Sequence, residues 1–194
     1  MKKSVTIILA VVAVIVIIGA WVAKGYNGLV VAQENVENAW SQVENQYQRR
    51  ADLIPNLVNT VKGYAAHESE TLEAVVAARA KATSVTVENL DEASIKAFAQ
   101  AQNEVGSALG RLLAVAEAYP DLKANENFKT LQEQLEGTEN RITVARNAFN
   151  DSAKAYNVAV RRFPNNIIAG MFGFEKKGYF EASAGAESAP VVQF

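Results

Sequence analysis

The residues that could do chemistry in this chain are few. The one histidine, His67, stands next to Glu68, and on a helix two adjacent side chains point in different directions and cannot converge on one proton. A lone imidazole cannot build a multi-histidine metal site or a two-histidine carboxylate-bridged centre. The absence of cysteine removes disulfides, thiolate metal sites and thiol nucleophiles together. No Gly-rich phosphate loop, Gly-x-Ser-x-Gly elbow or zinc signature occurs, and no serine is set beside a base that would activate it. The reading is therefore a protein that is not an enzyme, with no catalytic residue, no cofactor and no metal. The polar residues that remain invite a structural role. Arg50 falls on the buried stripe, where Asp52, Glu44 or a facing carboxylate could pair with it, and Gln33 and Thr138 occupy equivalent places. Polar residues in such a seam fix register and partner choice at some cost in stability.

The elements that must position these residues are helices. Tyr26, Leu29, Gln33, Val36, Trp40, Val43, Tyr47 and Arg50 recur at alternating spacings of three and four, which makes one buried stripe. The phase continues through Ile54, Leu57, Val61 and Tyr64 and more weakly to Ala82, predicting a second helix over Asn56 to Lys81. Asn89, with Glu92 three residues on, reads as a capping box for a third helix that stops at Tyr119-Pro120. Gly106 and Gly110 share a face of that helix and read as a close-approach surface. Asn125 caps a fourth helix with the most regular seam in the chain, from Phe128 to Phe163, and Pro164 ends it. The fold class is all-α: an N-terminal transmembrane helix followed by an antiparallel up-and-down four-helix bundle.

Pro55 interrupts the first stripe, and two readings compete for it. One is a single kinked helix from Tyr26 to Lys81, with the proline costing about 3 kcal/mol. The other is a turn between Ala51 and Pro55, with Asp52 helping to cap and the proline in the first helical turn. An unbroken helix would reach roughly 84 Å while the third helix returns only ~40 Å, leaving Tyr26, Trp40 and Tyr47 without partners. The turn is the preferred reading, and it brings Pro164 to Phe180 back towards the start of the bundle.

That start is a membrane anchor. Val5 to Ala23 carries no charge and as a helix spans roughly 28 Å, close to the ~30 Å of a hydrocarbon core. A cleaved signal peptide is the rival, but the run is longer than a usual signal h-region. Lys2 and Lys3 precede it, while Lys24 alone follows before Glu34, Glu37 and Glu44, so the positive-inside rule puts the soluble part outside. A net charge of -2 gives no footprint for nucleic acid. The organisation expected is an anchor at 1–25, a helical bundle at 26–164, an apolar C-terminal segment at 165–181 and a disordered tail at 182–194. In that segment Ile167, Ile168, Met171, Phe172 and Phe174, with Lys176 and Lys177 beside them, suit a second contact with lipid or a cap on the open end of the bundle.

Several runs carry a family resemblance: Asn38-Ala39-Trp40-Ser41-Gln42-Val43-Glu44, Arg49-Arg50-Ala51-Asp52-Leu53-Ile54-Pro55-Asn56-Leu57-Val58, Val61-Lys62-Gly63-Tyr64 with His67-Glu68, Ala78-Arg79, Tyr119-Pro120-Asp121-Leu122-Lys123, and Arg162-Phe163-Pro164. The chain resembles the LemA family of bacterial membrane proteins. The resemblance implies an N-terminal anchor and a helical bundle, makes Trp40, Arg49, Arg50, Asp52, Pro55 and Asn56 a structural motif, and implies no activity or cofactor. The functional expectation is a single-pass scaffold or interaction protein of the bacterial inner membrane, its domain on the periplasmic side. Its partners would be the lipid bilayer and an unidentified protein or a second copy of itself. The alternative is a lipid- or small-ligand-binding sensor.

Overall fold

The structure is a computed structural model that describes residues 2–181, and the expected disordered tail at 182–194 lies outside the described residues. Among the described residues it is helical without strands: α1 (Lys2–Lys62), α2 (Ser69–Ser84), α3 (Glu92–Ala116), α4 (Pro120–Ala124), α5 (Glu126–Arg161) and α6 (Asn165–Phe172).

α1 runs through Pro55 without a break, which corrects the expected turn. Proline has no N–H, so the carbonyl of Ala51, four residues earlier, loses its helical partner. Here Arg79 of α2 donates its Nε–H to Ala51 O at 2.8 Å. A side chain from the neighbouring helix thus restores the missing bond, and Pro55 itself is exposed on the outer face. The chain reverses later, over residues 63–68, where the Tyr64 and Ala65 amides both close on Val61 O at 3.0 and 2.8 Å. Only a helix reaching Lys81 would strand the Trp40 and Tyr47 stripe. In a helix ending at Lys62 that stripe still faces α3 and α5.

The up-and-down order survives this correction. α2 returns alongside α1, with Arg79 against Ala51. α3 runs outward again, placing Phe98 on Trp40 and Tyr47 and Gln102 on Arg50. α5 comes back, with Glu139 level with Arg50 and Phe149 level with Trp40. At the far end Tyr119 donates to Glu68 at 3.1 Å and Asn125 to Tyr64 at 2.9 Å, closing the top.

Helix boundaries follow local chemistry. Asn125 caps α5 as expected, its Oδ1 accepting from the Phe128 amide at 3.0 Å. The cap of α3 is Asp91 rather than Asn89: its carboxylate accepts from the Ser94 amide at 2.8 Å. Pro120 opens the short α4 at its first turn, where a missing N–H is harmless. α5 ends at Arg161, leaving Phe163 outside the seam. Gly106 and Gly110 face open space, so the expected close approach of helices there does not occur.

Two apolar cores lie end to end. The membrane-distal one is aliphatic, built from Ile54, Leu57, Val61, Leu72, Val75, Val105, Leu112, Leu122 and neighbours, with Phe128 as its one large ring. The proximal one carries most of the buried rings, Trp40, Tyr47, Phe98, Phe149, Tyr156 and Phe180, among aliphatic side chains such as Leu29, Val36, Val43, Ile95, Ile142 and Ile168.

Candidate functional site: the polar layer and the membrane-proximal end

Between the two cores sits Arg50, only 4% exposed. Its Nη1 donates to Glu139 Oε1 at 2.9 Å, and its Nη2 to Gln102 O at 2.9 Å and Gln102 Oε1 at 2.6 Å. The guanidinium lies 5.0 Å from the centre of the Tyr47 ring. Burial holds the Tyr47 hydroxyl above its ordinary pKa, although Arg146 and Arg50 pull the other way. The carboxylate facing Arg50 is thus Glu139 of α5, neither Asp52 nor Glu44. Asp52 is exposed and accepts from Gln48 at 2.7 Å. Arg49 and Asn56 are also exposed, so the motif does not converge on one point. Its core members are Trp40 and Arg50, and its other members form the outer face of α1. A hollow of about 150 Å³ beside Arg50 is lined by Glu44, Gln48, Arg79 and Gln102. Thr138 is buried on the same seam with its hydroxyl bonded to Gln134 O. This arrangement buries one charge with three hydrogen bonds from its guanidinium and ties α1, α3 and α5 together in register. Nothing in it resembles a nucleophile beside a base.

His67 lies exposed in the 63–68 reversal rather than on a second helix. Among the described residues no three His, Cys, Asp or Glu side chains gather as metal ligands would.

The other distinctive region is where α1 leaves its apolar span. Residues 5–18 of α1 expose their large apolar side chains all round, and this is the one described helix long and apolar enough to cross a membrane. Just beyond it, α6 lies against α1, with Ile168 resting on the bare backbone of Gly25 and Phe172 and Phe174 packed on Tyr26 at 4.8 and 5.6 Å. Of the residues expected at an interface, Ile168 is fully buried and Phe174 half-buried, so both hold α6 to the bundle. Ile167 and Met171 are outward-facing, with Met171 69% exposed; Phe172 keeps one face on Tyr26 and the other open, and Phe163, just before α6, is 76% exposed.

Sequence reasoning missed the role of the segment after α6. Gly173, with φ of 74°, closes the helix in the left-handed region that favours glycine. From there residues 174–181 run extended up the side of the bundle as a strap. Asn157 takes the Lys177 amide on its Oδ1 and donates Nδ2 to Lys177 O, both at 2.8 Å. Asn150 does the same for Phe180, at 2.9 Å each way. The Gly178 amide donates to Leu90 O at 2.9 Å, and a Cβ there would lie 2.7 Å from Glu92 Cα. Phe180 enters the aromatic core, stacked on Trp40 and edge-on to Phe149, with Arg146 above its ring at 4.6 Å. Asn157 beside the core residue Tyr156 was a readable signal, because a buried amide needs partners.

The chain is 30% identical over 186 residues to magnetosome protein MamQ of Magnetospirillum gryphiswaldense, covering 86% of this chain and 68% of that one. It is 28% identical to magnetosome protein MamQ 2 of Paramagnetospirillum magneticum, covering 95% and 74%. It is 25% identical to protein LemA of Metamycoplasma hominis, covering 81% and 69%. The LemA family pattern matches residues 39–194, from the Trp40 segment of α1 through α6 and the strap. The chain is a helical protein with an apolar N-terminal anchor, and it belongs to the LemA family.

Proposed function

We propose that this protein is a non-catalytic scaffold of the bacterial inner membrane, single-pass, which holds a rigid helical bundle at a fixed height and tilt on the periplasmic surface for a protein partner or a second copy. The observation that carries this reading is the continuity of α1: the apolar span and the first bundle helix are one helix of 61 residues. Such a helix fixes the distance and angle between the bundle and the end of the span, which is what a spacer or organiser needs. The names of the MamQ relatives, which place them at the magnetosome, support an organising role at a membrane. Lys2 and Lys3 ahead of the span support the outward orientation.

In this reading α6 is a second, interfacial contact. Ile167, Met171, Phe163 and the open face of Phe172 are exposed apolar side chains on or just before α6. That helix meets α1 at Gly25 through Ile168, within about 3 Å of the end of the uncharged run along the helix axis, and amphipathic helices lie in the headgroup boundary. Flotation of an anchor-deleted domain with liposomes tests it. The intact domain is expected to float, and the Met171→Ser/Phe172→Ser variant to stay with the protein fraction. Equal flotation overturns the interfacial role. Protease accessibility of the domain in intact spheroplasts tests the orientation: digestion supports the periplasmic side, and protection overturns it.

A further inference from the structure

The strap is held in the manner of a recognised peptide. Asn150 and Asn157 lie two turns apart on one face of α5, about 10.5 Å along its axis, and Lys177 and Phe180 lie about 10 Å apart on an extended chain. The two spacings match, so each asparagine forks onto the N–H and C=O of one strap residue. These bonds read backbone rather than side chains. Selectivity comes from two other places: the bare Cα of Gly178 against the first residue of α3, and the Phe180 ring between Trp40 and Phe149. Main-chain bonds for affinity and a side-chain pocket for specificity are the division of labour of extended-peptide binding sites.

We propose that the groove between α3 and α5 is an extended-peptide receptor that takes the strap of a second copy as well as its own. The inference deepens the scaffold reading and rests on it in needing two copies in one membrane. Three observations favour a second copy as the occupant. Its strap offers the same glycine and phenylalanine at the same spacing, so every contact in trans is one already seen in cis, and exchange of identical elements is a low-cost route to association. The tether between α6 and the groove is short and exposed at Glu175 and Lys176, and it begins at Gly173, the one described residue with positive φ. Redirecting the strap therefore needs changes at few dihedrals. Finally, α1 and α6 set the start of the strap at one height in every copy, and confinement to a shared membrane raises the effective concentration of straps at grooves.

The test uses two differently tagged full-length chains co-expressed and extracted in detergent. One carries Asn150→Ala/Asn157→Ala, with a disabled groove and an intact strap. The other carries Gly178→Val, with an intact groove and a strap that cannot dock. Neither can satisfy itself, so the mixed pair is expected to co-purify about tenfold more than either variant paired with itself. Helical circular dichroism verifies that each variant folds. A labelled peptide of residues 174–181 provides an independent measurement: its anisotropy should rise with the Gly178→Val chain and not with the groove-disabled chain. Equal co-purification in all pairings overturns strap exchange while leaving self-association, and with it the scaffold reading, standing. No association in any pairing overturns strap exchange and the self-association branch of the scaffold reading together. A peptide that binds both chains equally, or neither, overturns the receptor.

Discussion

The membrane-distal and membrane-proximal halves of the bundle solve the same packing problem differently. In the distal half four helices surround an aliphatic core, and α2 supplies both a wall and the Arg79 side chain that repairs α1 at Pro55. α2 ends at Ser84, so in the proximal half three long helices remain. The gaps there are closed by the 85–91 connection and by the strap, and large rings fill the space. A segment without helical hydrogen bonds of its own must find partners elsewhere, and Asn150, Asn157 and the Leu90 carbonyl provide them. The distal half is therefore held by the packing of four helices, while the proximal half has three and adds to their packing the ring contacts around Trp40 and the amide bonds to the strap. Loss of one contact should cost the proximal half more.

The largest expected effect is accordingly at Trp40. It touches Phe98, Phe149 and Phe180, and Trp40→Ala should destabilise the chain by about 3–5 kcal/mol, measured by denaturant unfolding followed by circular dichroism. A smaller loss on Trp40→Ala than on Leu112→Ala in the distal core would break the comparison. Next is the layer that separates the halves. Arg50→Met removes bonds to Glu139 and Gln102 while keeping much of the volume, and should cost about 2 kcal/mol. The Glu139 side chain is nearly half exposed and stays hydrated, which keeps the loss below that of stranding a buried charge. Glu139→Gln in the Arg50→Met background should then add almost nothing.

A third, smaller effect isolates the distal half. Arg79→Ala leaves the Ala51 carbonyl without its donor and should cost about 1–2 kcal/mol. In a Pro55→Ala background the restored backbone N–H takes over that carbonyl, and the same Arg79→Ala change should cost less than about 0.5 kcal/mol. Equal losses in the two backgrounds would show that Arg79 does not replace the bond that proline removes.

That pair also shows what was legible in the sequence. The stripes of α1, α3 and α5 were readable because each is amphipathic at a fixed period, and the Asn125 cap because its chemistry is local. The course of α1 through Pro55 was not, because the group that makes it tolerable lies 28 residues away on another helix, and propensity arguments see only neighbours. The proximity of residues 165–174 to the membrane end was legible in the alternation of helix directions, although the turn assumed for it was misplaced. The polar partner of Arg50 was open among several carboxylates until α5 fixed Glu139 opposite. The strap was missed because it is held by two asparagine side chains and one isolated backbone bond, which leave no periodicity.

The smallest effect compares the two caps, one in each half. Asp91 starts α3 in the proximal half, and the Ser94 amide bonded to its carboxylate holds its pKa below the ordinary value for aspartate. Asn125 starts α5 in the distal half and does not titrate. A depressed folded-state pKa means that the Asp91 contribution is complete above the unfolded value, near pH 4, and is lost as pH falls through the lower folded value. Asparagine caps about as well as aspartate, so Asp91→Asn should match the parent chain at neutral pH and retain slightly more stability under acid. Other carboxylates titrate in the same range, and the difference between parent and variant removes them. Because Gly178 presses on Glu92 and bonds to Leu90, fraying at Asp91 should also reach the strap. Hydrogen-exchange protection of the Gly178 amide should fall with acid in the parent and less in Asp91→Asn, while that of Phe128 at the Asn125 cap changes equally in both. A Gly178 amide indifferent to the substitution would mean that the strap is held by Asn150, Asn157 and Phe180 alone, independently of how α3 begins.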